Sequence, residues 1–139
     1  MKNKITPTHV ELHSMVDRIS VSFLPFVTRK NSFIINDVPA DLLANTDEQM
    51  LGTILGSLIN TVIANTQDCC IRISAKSYGK IVLFHLKETP QIKAPAFAVN
   101  LRELQQLAET IGGTISISHD EPEATTIVFS FANNLPLAA

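Results

Sequence analysis

Hydrophobic residues recur at intervals of three or four in three parts of the chain, and this spacing predicts three helices. The first is expected from residue 8 to about residue 24, where a proline disturbs the last turn. The second follows a capping-box sequence that begins at Thr46, and it runs to about Ala64. The third is capped by Asn100 and ends at the glycine pair 112–113, where positive φ is needed.

Alternating or continuous apolar runs predict five strands around these helices, at residues 32–36, 69–77, 80–88, 114–118 and 125–131. A turn at Tyr78 and Gly79 joins the second and third of these strands into an antiparallel hairpin. The resulting order of elements predicts an α/β (α+β) fold. It is a two-layer sandwich in which helices cover one face of a mixed, mostly antiparallel sheet.

The composition is that of one globular domain spanning residues 1–139, with 45% hydrophobic and 17% charged residues. Eleven basic residues stand against 13 acidic ones, and no basic run occurs, so no nucleic-acid partner is expected. No apolar stretch approaches the about 20 residues of a membrane span, and no signal-peptide run is evident. We therefore expect a cytoplasmic protein without a membrane partner. Met1 and the ending NNLPLAA favour a complete small protein.

The cysteines and histidines give no metal signature. Cys69 and Cys70 are adjacent on a predicted strand, so they point to opposite faces and are expected to be reduced thiols. The four histidines show no ligand spacing beyond His9 and His13. No metal ligand and no catalytic residue is predicted.

Three stretches of the chain carry family-like motifs. Residues 47–66 (DEQMLGTILGSLINTVIANT) resemble the pattern D-x-x-x-L-x-x-x-L-x-N-L-x-x-N-A-x-K-x-T. Residues 98–115 are similar to a G-L-G-L helix followed by G-G-x-I, and residues 124–131 to a G-T-x-F-x-F strand. Together they resemble the histidine-kinase-like ATPases of the GHKL superfamily over about residues 8–136. The resemblance implies the ATPase fold of that family.

The same resemblance implies that the phosphate and metal positions are replaced. The family's first Asn falls on Ser57, its Mg²⁺-coordinating Asn on Thr61, and its phosphate-side Lys on Ala64. No charged side chain occurs between Met50 and Gln67. This neutral helix is poorly suited to hold a triphosphate and its metal ion.

The adenine-side motifs are also altered. Glu88 stands near the Asp of the family's D-x-G-x-G box, with Pro90 where a glycine is expected. Glu88 is therefore either a solvated carboxylate at a strand end or a relic of adenine binding. The glycines of the G-L-G-L box are replaced at Ala98 and Asn100, which removes a close backbone approach to phosphate. The lid is reduced to residues 92–97.

Two further patterns leave alternatives open. Gly52 and Gly56, on one face of the second helix, indicate either close approach of another element or collapse of a former ligand pocket. Ile81 and Leu83 lie on the strand face opposite the main apolar residues. They indicate a surface for a protein partner or second copy, or a face covered by a chain terminus.

The leading hypothesis is a non-catalytic histidine-kinase-like domain that serves as an interaction module in bacterial signalling, without ATP or any other cofactor. A response regulator, a sensor kinase or a second copy is the expected partner. One alternative is a residual ATP- or ADP-binding domain of a two-component sensor kinase, with Mg²⁺, in which Thr61 and Glu88 bind the nucleotide. Another is a phosphotransferase-like relay protein with His9 or His13 as phosphoacceptor.

Overall fold

Seven strands and four helices make up the parts of the chain that the computed structural model describes, namely residues 8–64, 67–89, 95–118 and 125–133. For residues 8 and 95–101 the backbone alone is described. The elements are β1 Thr8–Glu11, α1 Leu12–Ser22, α2 Leu24–Arg29, β2 Phe33–Asn36, β3 Leu43–Thr46, α3 Glu48–Ala64, β4 Cys70–Tyr78, β5 Ile81–Thr89, α4 Pro95–Glu109, β6 Thr114–Ser118 and β7 Thr125–Ala132.

In the described part of the chain, the main sheet has five strands in the order β2-β4-β5-β7-β6. β2 runs parallel to β4, and the other neighbours are antiparallel. Buried and partly exposed positions alternate along β5 and β7, as expected for a sheet with one covered face. The predicted mixed, mostly antiparallel sheet with a helical layer is confirmed. We call the helix-packed face the inner face and the opposite one the outer face.

The core lies between the inner face and the helices. Its centre holds three stacked or tilted rings, Phe84, Phe129 and Phe131, whose centroids lie 5.4 to 6.3 Å apart. The helix α3 packs into this core along one side through residues including Leu51, Leu55 and Leu58. None of the helices within the described ranges is long and apolar enough to cross a lipid bilayer.

Two tight turns follow from the glycines at their centres. Gly79 has φ +59° in the two-residue turn between β4 and β5, where hairpin geometry favours a glycine. Gly112 has φ +68° at the end of α4, and the N–H of Gly113 donates to the Ala108 carbonyl at 2.8 Å. The predicted helix end at this glycine pair is confirmed.

The first part of the chain differs from the sequence prediction. Residues 8–11 form strand β1, which pairs antiparallel with β3 in a separate two-stranded sheet, so the helix begins only at Leu12. The expectation of one helix from residue 8 to 24 was wrong. The helix breaks at Phe23, and Pro25 lies in the first turn of the short helix α2, where proline is well tolerated.

Both predicted helix N-caps were also wrong. Thr46 ends β3, and Asp47 caps α3 instead, because its Oδ1 accepts a 3.0 Å hydrogen bond from the Met50 N–H. Helix α4 begins at Pro95, which places Asn100 within the helix. Asp and Thr are both good cap residues, so the tertiary pairing of β3 decides which one is used.

Candidate functional site

Ser57, Thr61 and Ala64, the three positions that the sequence resemblance aligns with phosphate and metal contacts, all lie on α3. Thr61 is buried, with 9% of its surface exposed, and its Oγ1 donates a 2.8 Å hydrogen bond to the Ser57 carbonyl. Ser57 itself is half-buried, whereas Ala64 is exposed. Because a bond of this kind uses the hydroxyl's only hydrogen within its own helix, the Thr61 hydroxyl is satisfied locally.

Charge is confined to the first turn of α3. Glu48 lies 3.6 Å from the Arg18 guanidinium, and both side chains are half or more exposed. From Met50 to Ala64, all of it described, the helix carries no ionisable side chain. Within the described ranges, no three His, Cys, Asp or Glu residues lie together as potential metal ligands. This face offers neither cation nor carboxylate, so its residues do not fit a Mg²⁺-bound triphosphate.

The two glycines of α3 are not there for close packing with another element. A Cβ atom placed on Gly56 would meet nothing within 4 Å, and one on Gly52 would meet only the Met15 Cε at 3.9 Å. The close-approach interpretation was therefore wrong for both residues. Collapse of a former ligand pocket stays a prediction.

Glu88 is buried, with only 1% of its surface exposed. It continues the inner-face series of β5 after Phe84 and Leu86, and it stands in register with Ile71 on β4 and Thr125 on β7. The interpretation of Glu88 as a solvated strand-end carboxylate was therefore wrong. A carboxylate held at this depth is expensive unless it is hydrogen-bonded or serves a ligand.

Two neighbours share the buried environment of Glu88, and we call the three residues the Glu88 cluster: Glu88, Cys69 and Thr125. Burial is the main cause that raises the pKa of the Cys69 thiol, and the Glu88 carboxylate raises it further through its charge and a hydrogen bond. The Cys69 Sγ also donates to the Gln67 carbonyl at 3.1 Å. The cluster is thus a compact polar group inside an apolar layer.

Thr125 was not singled out from the sequence, although it occupies the Thr of the G-T-x-F-x-F pattern. It is 1% exposed, and its Oγ1 has no hydrogen-bond partner within the described part of the chain. A buried hydroxyl without a partner, directly opposite a buried carboxylate, fits a ligand that offers hydrogen-bond donors such as an amino group. Of the positions described, Glu88 and Thr125 therefore offer more to a polar ligand than the face of α3 does.

The remaining predicted positions are scattered. Ala98 and Asn100 lie in α4, but their side chains fall outside the described residues. Of the predicted short lid, residues 92–94 lie outside the described residues, and residues 95–97 form the start of α4. His9 is exposed in strand β1, whereas His13 is on α1 with its Nδ1 2.7 Å from the Val38 carbonyl. The two histidines therefore do not share a helix.

The outer face carries the predicted interaction residues. Ile81 is 41% exposed and Leu83 is half-buried, whereas Val82 and Phe84 between them are buried on the inner face. The predicted orientation of these residues is confirmed, and their role stays a prediction. Tyr78 is in register with Ile81 and is 53% exposed. We call Tyr78, Ile81 and Leu83 the hairpin patch.

Several solved structures with this architecture are histidine kinases. The chain superimposes on the kinase AdeS of Acinetobacter baumannii with a TM-score of 0.80 at 13% identity, over 97% of this chain and 70% of AdeS. The nucleotide-free catalytic domain of the kinase ThkA gives a TM-score of 0.74 at 17% identity, over 91% and 95% of the two chains.

A third similar structure is ThkA in complex with the response regulator TrrA, with a TM-score of 0.75 at 15% identity. The match covers 92% of this chain but only 42% of that kinase. No protein-family model and no curated protein matches the sequence. At these low identities the likeness concerns the fold, and it confirms the predicted one. The chain has the histidine-kinase-like ATPase fold, built around a buried Glu88 and a neutral helix α3.

Proposed function

We propose that this chain is a non-catalytic histidine-kinase-like domain that acts in two-component signalling by binding a protein. The observation that carries the proposal is the state of Thr61. The sequence resemblance aligns it with the family's metal-binding Asn, yet it is buried and its hydroxyl is bonded to the Ser57 carbonyl. The uncharged surface of α3 around it supports the same conclusion, because phosphoryl transfer depends on cations and a metal ion.

The proposed partner is a response regulator or a sensor kinase. Support comes from ThkA, a kinase with the same fold that was crystallised with a response regulator. The surface proposed for this contact is the hairpin patch, where the exposed side chains of Tyr78 and Ile81 stand in register on the β4–β5 hairpin. Exposed aromatic and aliphatic residues of this kind are frequent anchors of protein interfaces.

The nucleotide part of the proposal is tested by thermal unfolding with millimolar Mg-ATP or Mg-ADP. A ligand at 100 times its Kd stabilises a protein by about 2.7 kcal/mol, which raises the melting temperature of a domain of this size by several degrees. We expect no rise with either nucleotide. A saturable rise of several degrees would overturn the loss of nucleotide binding.

The partner part is tested by calorimetric titration with purified receiver domains and kinase domains from the same organism. Ile81→Asp is expected to weaken the interaction at least tenfold, because it places a charge in an apolar contact. Val21→Asp is the matched control, since Val21 is 63% exposed on α1, away from the hairpin patch. Equal binding by both variants would exclude the hairpin patch as the interface. Sedimentation of the unmodified chain alone separates partner binding from a homodimer.

A second function, binding of an adenine nucleoside without its phosphates, is favoured by one observation. Glu88 and Thr125 lie opposite each other, both 1% exposed, and the Thr125 hydroxyl has no partner within the described residues. Adenosine is then expected to raise the melting temperature as much as ATP does, and Glu88→Gln is expected to abolish the rise. A response to ATP but not to adenosine would contradict this second function.

A further inference from the structure

The outer face of the sheet contains a cavity of about 350 Å³. It lies on the opposite side of the sheet from the Glu88 cluster and from α3, so it is distinct from the nucleotide site of the family. Seven side chains line it: Arg72, Ser74, His85, Lys87, Ser118, Thr126 and Val128. Its size is within the range of small-molecule sites, about 300 to 1,000 Å³.

Cross-strand register brings the polar lining groups together in rows. Arg72 on β4 stands opposite Lys87 on β5, and Lys87 stands opposite Thr126 on β7. Ser118 on the edge strand β6 extends this row beyond Thr126. Neighbouring strands are about 4.8 Å apart, so the row presents two cations and two hydroxyls along four adjacent strands.

A second, parallel row adds further hydrogen-bond donors and an apolar wall. Ser74 stands opposite His85, and His85 stands opposite Val128. Each of the six polar lining residues can donate a hydrogen bond, and no carboxylate lines the cavity within the described residues. A set of this composition complements a group that only accepts hydrogen bonds and carries negative charge.

The opposed cations have an energetic consequence. Like charges directly opposite each other on neighbouring strands destabilise a sheet. The Arg72 guanidinium offsets this by forming a salt bridge with Asp37, and that pair raises the pKa of Arg72. An anion bound in the cavity would compete with Asp37 for the Arg72 guanidinium.

We propose that this cavity binds a small phosphorylated molecule through its phosphate group. The hydrogen-bond donors are spread over four strands and two rows of one sheet face. Such a spread suits the several oxygens of a tetrahedral phosphate better than the two oxygens of a flat carboxylate. Arg72 and Lys87 neutralise its charge, while Ser74, Thr126 and Ser118 supply neutral donors. Val128 provides an apolar surface for the remainder of the molecule.

The test is calorimetric titration of the folded chain with phenyl phosphate, inorganic phosphate and, for comparison, benzoate. We expect saturable binding of both phosphates, and at least tenfold weaker binding of phenyl phosphate by Lys87→Ala, because a charge-assisted hydrogen bond is lost. Thr126→Val removes one hydroxyl at nearly constant shape and is expected to weaken binding about threefold. Lys76→Ala, exposed on the same face and outside the cavity, is the matched control and should bind as the unmodified chain does.

Asp37→Asn gives a change in the opposite direction. It removes the carboxylate that competes for Arg72, and we expect it to tighten phosphate binding about threefold. The proposal would be overturned if neither phosphate bound saturably, or if Lys87→Ala bound phenyl phosphate as tightly as the unmodified chain does. It would also be overturned if benzoate bound as tightly as phenyl phosphate. Binding only to vesicles of phosphatidylglycerol, without binding to the two soluble phosphates, would also overturn it. None of these results bears on α3 or the hairpin patch, so the proposed function is tested separately.

Discussion

Asn133 binds the backbone of Asn45 through its side chain. Its Oδ1 accepts a 2.8 Å hydrogen bond from the Asn45 N–H, and both residues are buried. The backbone N–H of Asn133 donates at 2.8 Å to the Lys80 carbonyl in the β4–β5 turn. One residue after β7 therefore joins the small two-stranded sheet to the main sheet.

We expect Asn133→Ala to lower the free energy of unfolding by about 1 to 3 kcal/mol, because the buried Asn45 N–H loses its acceptor. Asn133→Asp, which retains an acceptor oxygen, should cost less. The measurement is urea unfolding followed by circular dichroism. Asn60→Ala, at an exposed position of α3, is the control and should lie within about 0.5 kcal/mol of the unmodified chain. Equal losses for Asn133→Ala and Asn60→Ala would contradict a structural role of the hydrogen bond.

Gly56→Ala is expected to increase the free energy of unfolding by about 0.5 to 1 kcal/mol. Its added Cβ meets nothing within 4 Å, and alanine is the better helix former. Gly113→Ala should do the reverse, since its Cβ would lie 2.5 Å from the Ser130 carbonyl oxygen and 3.0 Å from that of Ala108. Calorimetric melting of both variants tests the pair. A destabilised Gly56→Ala would show that the face of α3 is more crowded than the structure indicates.

Phe129→Ala should cost about 3 to 5 kcal/mol of unfolding free energy, because it opens a cavity within the three-ring cluster. Phe129→Leu refills most of that space and is expected to cost markedly less. The two variants are compared by guanidinium unfolding. Similar losses for both would mean that ring stacking, rather than filled volume, dominates the contribution of Phe129.

Cys69 gives a prediction about pH. Its pKa is raised above the ordinary value of 9.0, first by burial and then by the charge of Glu88. Glu88→Gln removes that charge, so it should lower the pKa of Cys69. The midpoint of the pH dependence of iodoacetamide labelling, measured in a Cys70→Ser background, reports the change. An unmoved midpoint would contradict the contact between carboxylate and thiol.

The same shift affects stability at alkaline pH. Because the thiol pKa is higher in the folded state, its contribution is fully present below about pH 9 and is lost as pH rises through the folded-state pKa. Cys69→Ala should therefore show a smaller loss of unfolding free energy between pH 8 and pH 11 than the unmodified chain. If the free energy of unfolding of Cys69→Ala fell more steeply over this pH range, the pKa of Cys69 would not be raised by folding.

Long, strongly periodic elements could be predicted from the sequence. Helix α3, the β4–β5 hairpin and the glycine-terminated helix α4 each depend on contacts between residues near each other in the chain. Strands β1 and β3 have four residues each, and their pairing joins Thr8 to Thr46. Nothing local marks such short segments as partners, so residues 8–11 were assigned to the helix that follows them.

The burial of Glu88 could have been predicted. Val82, Phe84 and Leu86 alternate on the inner face, and the same period of two places Glu88 with them. The sequence prediction instead favoured an exposed side chain, because carboxylates are rarely buried. The outer-face cavity could not have been predicted in the same way. It depends on the register among four strands, which joins Arg72 to Lys87 and Thr126 only once the sheet is assembled.

Strand β5 lies in the centre of the main sheet and pairs with β4 and β7 over nearly its whole length. Its amides are released only when the sheet itself separates, whereas among the described strands β2 and β6 each pair with one neighbour. Lys87 and Glu88, adjacent on β5, point to opposite faces of this most protected strand. In hydrogen–deuterium exchange, the backbone amides of Lys87 and Glu88 should therefore be among the last to take up deuterium.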